Sequence, residues 1–263
     1  MFADYNGLEV IVVAGGAYDE SDDNPYDYTF VDSALLQISL LEGGATLLVA
    51  NAGWTDDQRA KIIQAAEDRD ITLQFFSNTE QLTNYIKTGT LNGHQDLRSD
   101  DPITEFYVFA HGTDSFTGNY VIDFGYHSSN TNLQWGISDI IDIKKDVFAL
   151  NSLSVFYTCR TGNDFSGGNY AETWSLQTHG SVRALAGENG NTFVGRSDYR
   201  FINGNWGQRR FADHLGNEYT TWWNNRGHVD ERPGEAYSLP IGRHDAEWKW
   251  FSSKNNGVFQ QGK

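Results

Sequence analysis

The chain has 263 residues, of which 39% are apolar, 21% charged and 14% aromatic. That length closes a substantial core in one large domain, and so many ordering side chains exclude an intrinsically disordered protein. With 19 Lys plus Arg against 35 Asp plus Glu, the net charge is -16, a mean field that repels phosphate backbones and anionic membrane surfaces.

The opening MFADYNGLEV lacks the basic start and apolar centre of a signal peptide, and no run of eighteen apolar residues follows. The expectation is a soluble chain with neither nucleic acid nor membrane as partner, and it is compatible with excision from a larger parent protein. Few Lys and many Asn, Gly and Trp suggest a secreted protein or a delivered effector, with the cytoplasm as the other compartment.

The first apolar run, Leu8 to Ala14, is continuous and predicts a central strand covered on both faces. The segment YDESDDNPYDYTFVD follows, with Asp19, Glu20, Asp22, Asp23, Asp27 and Asp32. Its charge predicts a solvated loop, and it lacks the spacing of a calcium loop. Gly15, Gly16 and Ala17 lack both the dinucleotide fingerprint and the Walker lysine, so they read as a tight turn.

Ala45 to Ala50 predicts the second strand. A helix then starts at Thr55, whose side chain and that of Gln58 form a capping box, with Ile62, Ile63 and Ala66 as its inward stripe. Ile71 to Phe76 predicts a third strand. Asn78 and Gln81 repeat the capping pattern, Leu82, Tyr85 and Ile86 make one helix face, and Gly89 ends it. Loop-like residues run on to Asp101 and Pro102.

The strands predicted at Phe106 to Ala110 and Leu153 to Thr158 each stop at a chemically capable residue, the first at His111 and Gly112, the second at Cys159. Ile137 to Ile143 supplies a candidate crossover helix between them. A short helix from Tyr170 to His179 and a strand from Ser181 to Ala186 complete the alternation of a three-layer α/β sandwich with a mainly parallel central sheet. Residues 1-199 form this domain, and 200-263 read as an aromatic-rich extension packed on it, with Trp206, Trp222, Trp223, Trp248 and Trp250.

Loops beyond the carboxyl ends of parallel strands share one rim. If the strands before His111 and Cys159 are neighbours, that rim holds both residues despite 48 positions of separation. His111 then accepts the thiol proton, the Cys159 thiolate attacks a carbonyl, and the backbone N–H groups of Gly112 and Cys159 bind the oxyanion. The single cysteine excludes internal disulfides and multi-thiolate metal sites. His127, His179, His214, His228 and His244 form no compact ligand spacing, so neither metal nor other cofactor is expected.

FYVFAHG and LSVFYTC resemble the paired motifs of caspase-like cysteine peptidases, the group that includes caspases, legumains, gingipains, clostripain-like enzymes and separases. The likeness spans roughly residues 8 to 199. It implies a caspase-like fold and a Cys–His dyad of Cys159 and His111 acting on a peptide or protein substrate. Tyr157 and Thr158 before Cys159, and Arg160 after it, depart from the caspase Gln-Ala-Cys pattern. VFYTCRTG, YAETW and SVRALAG look more like bacterial, toxin-associated branches. The resemblance puts part of the specificity pocket near Glu188, Arg196 and Asp198, with Asp114 after the base; the acids favour cleavage after Arg or Lys, and an inward Arg196 would reverse that. The competing readings are a non-catalytic interaction domain in a secreted or toxin system, and another acyl-transfer or autoprocessing domain.

Overall fold

The computed structural model describes residues 8–17, 28–41, 43–92, 98–114, 119–125, 131–165, 168–187, 200–203, 208–212, 218–222, 247–252 and 257–259. In chain order the elements are β1 (Glu9–Ala14), α1 (Thr29–Ser39), β2 (Thr46–Ala50), α2 (Asp56–Glu67), β3 (Thr72–Phe76), α3 (Thr79–Thr88) and β4 (Ile103–Phe109). There follow β5 (His111–Asp114), β6 (Tyr120–Asp123), β7 (Gln134–Gly136), α4 (Ile137–Ile140), β8 (Phe148–Tyr157), β9 (Asp164–Phe165), β10 (Gly168–Asn169), α5 (Tyr170–Thr178) and β11 (Ser181–Ala186). The remaining strands are β12 (Arg200–Asn203), β13 (Gln208–Ala212), β14 (Glu218–Trp222), β15 (Glu247–Ser252) and β16 (Gly257–Phe259).

An 8-stranded sheet in the order β16-β15-β11-β8-β4-β1-β2-β3 forms the middle layer. Strands β3 through β11 in that order pair in parallel, while β15 and β16 join antiparallel beside β11. Continuous apolar runs suit this sheet because both its faces are covered. Val12, Ala14, Leu47, Val49, Tyr107 and Phe109 pack with α1 and α2, whereas Ile11, Val13, Leu48, Ala50, Phe106 and Val108 pack with α3, α4, α5 and the β5–β7 ribbon. The result is a three-layer α/β architecture built on a large, mostly parallel mixed sheet.

The capping signals act as their chemistry requires. The Gln58 N–H donates to Thr55 Oγ1 at 3.2 Å while the Thr55 N–H donates to Gln58 Oε1 at 2.8 Å, closing the box at the start of α2. Asn78 Oδ1 accepts from the Gln81 N–H at 2.9 Å to start α3, but the expected second arm shifts by one residue, Gln81 Oε1 accepting from the Ser77 N–H at 2.7 Å; Gly89 ends the helix in the left-handed conformation at φ 78°. His179 does the same for α5 at φ 56°.

Four expectations change. The acidic segment is not loop throughout: α1 begins at Thr29, and Asp32 is only 2% exposed. Phe30, Val31, Ala34, Leu35 and Ile38 make a helical stripe whose burial outweighs the charge of the preceding residues. Ile63, assigned to the inward stripe of α2, is 40% exposed because Ile62 and Ala66 already fill that face. The crossover helix expected over 137–143 is the short α4, and the antiparallel β5-β6-β7 ribbon takes up much of the crossover. The region expected to be loop before Pro102 contains a 3-10 turn at Arg98–Asp100 that buries Arg98.

Arg98 anchors the amino-terminal rim of the sheet. Its Nη1 donates to Glu9 Oε2, its Nη2 to the Tyr85 carbonyl at 3.1 Å and its Nε to the Ile86 carbonyl at 3.2 Å, satisfying carbonyls near the end of α3. Glu9 Oε1 accepts from Thr46 Oγ1 and from the Tyr85 hydroxyl, both at 2.8 Å. Burial lowers the Arg98 pKa to about 10, with the Asp101 carboxylate pulling the other way.

Candidate active site

Strands β4 and β8 are parallel neighbours, and Phe109 pairs with Tyr157 at the last position of their ladder. His111 and Cys159 each lie two residues beyond that pair, so equal offsets on adjacent strands bring them to one rim. The Phe109 and Tyr157 rings stack beneath this rim, with centroids 4.5 Å apart and planes within 8°. Their stacking braces the two strands where the chains diverge into loops.

His111 opens β5, which leaves the main sheet to pair with β6. Its ring meets Phe30 of α1 edge to face, with centroids 4.8 Å apart, and Nε2 is buried. Across the β5–β6 ladder His111 stands opposite Asp123. The Asp123 carboxylate accepts from the Gly125 N–H at 2.8 Å and from Gln134 Nε2 at 3.3 Å. Directly opposed residues have Cβ atoms about 4.5–5.5 Å apart, so this acid belongs to the immediate surroundings of the imidazole.

The next residue touches the cysteine loop. A Cβ placed on Gly112 would fall on the Cys159 carbonyl and come within 2.5 Å of the Tyr120 hydroxyl. Glycine is therefore required by close backbone approach. Gly112→Ala is expected to lower stability by about 1–3 kcal/mol through overpacking, read from the thermal midpoint; an unchanged midpoint would mean that β5 and the Cys159 loop do not press together in solution.

The cysteine loop is held tightly. Arg160 has φ 60°, a left-handed conformation uncommon for a residue with a side chain, and its N–H donates to the Gly187 carbonyl at 2.9 Å. The Gly162 N–H donates to the Leu185 carbonyl at 2.7 Å, and Asn163 Oδ1 accepts from the Gly187 N–H at 2.9 Å. The end of β11 is thereby sewn to the residues after Cys159. Tyr120, only 1% exposed, places its hydroxyl 2.9 Å from the Cys159 carbonyl oxygen and 2.7 Å from Thr161 Oγ1. Burial pushes its pKa well above the ordinary phenol value, against the opposing effect of its hydroxyl contacts with Thr158 and Thr161, so Tyr120 remains a protonated donor.

Among the other expected site residues, Asp114 ends β5 opposite Tyr120. Glu188, Arg196 and Asp198 lie outside the described residues. Tyr120, Thr158, Thr161, Phe30 and Asp123 also surround the two residues, and the sequence alone assigned none of them a role there. Only Tyr120 carried a usable signal, an aromatic opening the short apolar run YVI of β6. The Gly15 and Gly16 N–H groups donate to the carbonyls of Phe109 and Phe124, both at 2.8 Å, and the Ala17 N–H to Ala52 at 2.9 Å. The turn after β1 thus directs its donors into the fold. Among the described residues, no cluster of three His, Cys, Asp or Glu side chains is arranged to hold a metal ion.

Comparison with protein-family models, curated proteins and solved structures finds no match to this chain.

Proposed function

We propose that the chain is a caspase-like cysteine endopeptidase in which Cys159 is the nucleophile and His111 the general base. The observation that carries this reading is the equal offset of the two residues past Phe109 and Tyr157 on neighbouring parallel strands. His111 takes the thiol proton and the thiolate adds to the peptide carbonyl, forming a carbon–sulfur bond while the carbonyl π electrons move to oxygen. The N–H groups of Gly112 and Cys159 donate to that oxyanion. Collapse breaks the carbon–nitrogen bond, the imidazolium returns the proton to the leaving amine, and water hydrolyses the thioester with His111 again acting as base.

Purified protein is expected to cleave fluorogenic peptides, more readily after Arg or Lys than after Asp or Glu, because Asp114, Glu188 and Asp198 outnumber Arg196 around the expected pocket. Cys159→Ala is expected to abolish cleavage and leave the circular dichroism spectrum unchanged, and His111→Ala to lower kcat about 10²–10⁴-fold. Cleavage persisting in Cys159→Ala would assign the chemistry to another group. A preference for Asp or Glu would reverse the pocket charge while leaving the dyad standing.

A further inference from the structure

We infer that Tyr120 and Thr161 are positioning residues that fix the two peptide planes flanking Cys159, setting the direction of its N–H and the aim of its side chain. The hydroxyls of Tyr120, Thr158 and Thr161 form one closed cluster, with Tyr120 1% exposed and both threonines fully buried. Thr161 Oγ1 donates to the Thr158 carbonyl at 2.9 Å. A peptide unit is planar and trans, so gripping that oxygen turns the Cys159 N–H to the opposite side. The Tyr120 hydroxyl donates to the Cys159 carbonyl at 2.9 Å, and the N–H at the other end of the same peptide donates to Gly187 at 2.9 Å. This second plane is held at both ends. Thr158 Oγ1 lies against Thr161 Oγ1 and completes the set by donating to it, so each hydroxyl gives its proton once.

With both planes held, the backbone torsions of Cys159 are fixed, and with them its Cα–Cβ direction. Gly112 is excluded from carrying a Cβ by two members of this arrangement, the Cys159 carbonyl and the Tyr120 hydroxyl. The strand bearing the base and the loop bearing the thiol are therefore registered against each other through one phenol. The inference rests on the peptidase reading for the use of the Cys159 N–H, whereas the positioning itself is physical and measurable without turnover.

The test compares the parent with Thr161→Val, Tyr120→Phe and Thr161→Ser. Thr161→Val removes the hydroxyl at nearly constant shape, and Thr161→Ser keeps it. Hydrogen exchange of the Cys159 amide is expected to accelerate about tenfold in Thr161→Val and Tyr120→Phe and to stay at the parent rate in Thr161→Ser. Where the parent cleaves peptide, kcat falls about tenfold or more in the first two with KM within about twofold, because the N–H acts on the oxyanion and not on the bound substrate. Alkylation of Cys159 by iodoacetamide, followed against pH, then loses its dependence on His111 in Thr161→Val and regains it in Thr161→Ser. Unchanged exchange in both hydroxyl-deleted variants, or a Thr161→Ser variant as impaired as Thr161→Val, would overturn the inference. A parent that cleaves nothing removes the peptidase reading alone, and amide exchange still decides the positioning. Should Thr161→Val fail to fold, Tyr120→Phe carries the same comparison.

Discussion

Arg98→Met is expected to lower the free energy of unfolding by about 2–4 kcal/mol, since it removes the buried partner of an ion pair whose acid, Glu9, is itself largely buried, and strands that acid. Arg98 is 2% exposed, and its guanidinium ties Glu9 at the start of β1 to the carbonyls of Tyr85 and Ile86 near the end of α3. Without it, Glu9 retains the Thr46 and Tyr85 hydroxyls as donors but loses its countercharge. Urea titrations at constant m-value supply the measurement. The double variant Glu9→Leu with Arg98→Met is expected to recover much of the loss, because two apolar groups leave no buried charge. A single variant within about 1 kcal/mol of the parent would show that water reaches this rim and solvates Glu9.

Alkali is expected to unfold the protein from about pH 10 upward, the ordinary pKa of a phenol in an unfolded chain. Burial raises the pKa values of Tyr85, Tyr107, Tyr120, Tyr157 and Tyr170, so the native state keeps protons that the unfolded state releases. The stabilisation from these protonated phenols is fully present below pH 10 and is lost as pH climbs toward their native values. Each fully buried phenol, Tyr120 and Tyr170 foremost, contributes a fall of about 1.4 kcal/mol per pH unit. Arg98 has the opposite sign: its native value of about 10 lies below the unfolded value of 12.5, so above pH 10 it offsets one such proton. The phenols outnumber it. Tyrosinate absorbance and tryptophan fluorescence are expected to change together, and Tyr120→Phe to shallow the alkaline slope by about one proton. Phenols that ionise near pH 10 with fluorescence unchanged would show that they titrate within the native fold.

The sheet was legible wherever one segment carried its own signal. Leu8 to Ala14 is apolar at every position except Glu9, and Glu9 proves to be the strand-end residue that meets Arg98. Thr55, Asn78 and Gly89 announced helix boundaries because caps act within four residues. The shared rim of His111 and Cys159 followed from two strands ending at reactive residues, given their parallel pairing. What escaped depends on partners far along the chain. Asp32 belongs to α1 through the burial of Phe30, Leu35 and Ile38 against the sheet, which outweighs the acidic run before it. Arg98 reads as a loop residue until Glu9, 89 positions earlier, is beside it. Thr158 and Thr161 are ordinary polar residues until the Tyr120 hydroxyl of β6 meets theirs, 38 and 41 positions away.

The antiparallel pairing of β15 with β11 sets an order of events during synthesis. All residues of the rim, from His111 through Cys159 to Gly187, leave the ribosome before β15 exists. From Ala186 to Glu247 the ribosome adds about sixty residues, and at about 5–20 residues per second it needs roughly 3–12 s to do so. Throughout that interval the outer edge of β11 offers its backbone donors and acceptors to any extended segment nearby. A nascent chain thus completes both segments of the rim while one flank of its sheet is still open to pairing, and the arrival of β15 converts that flank into sheet interior.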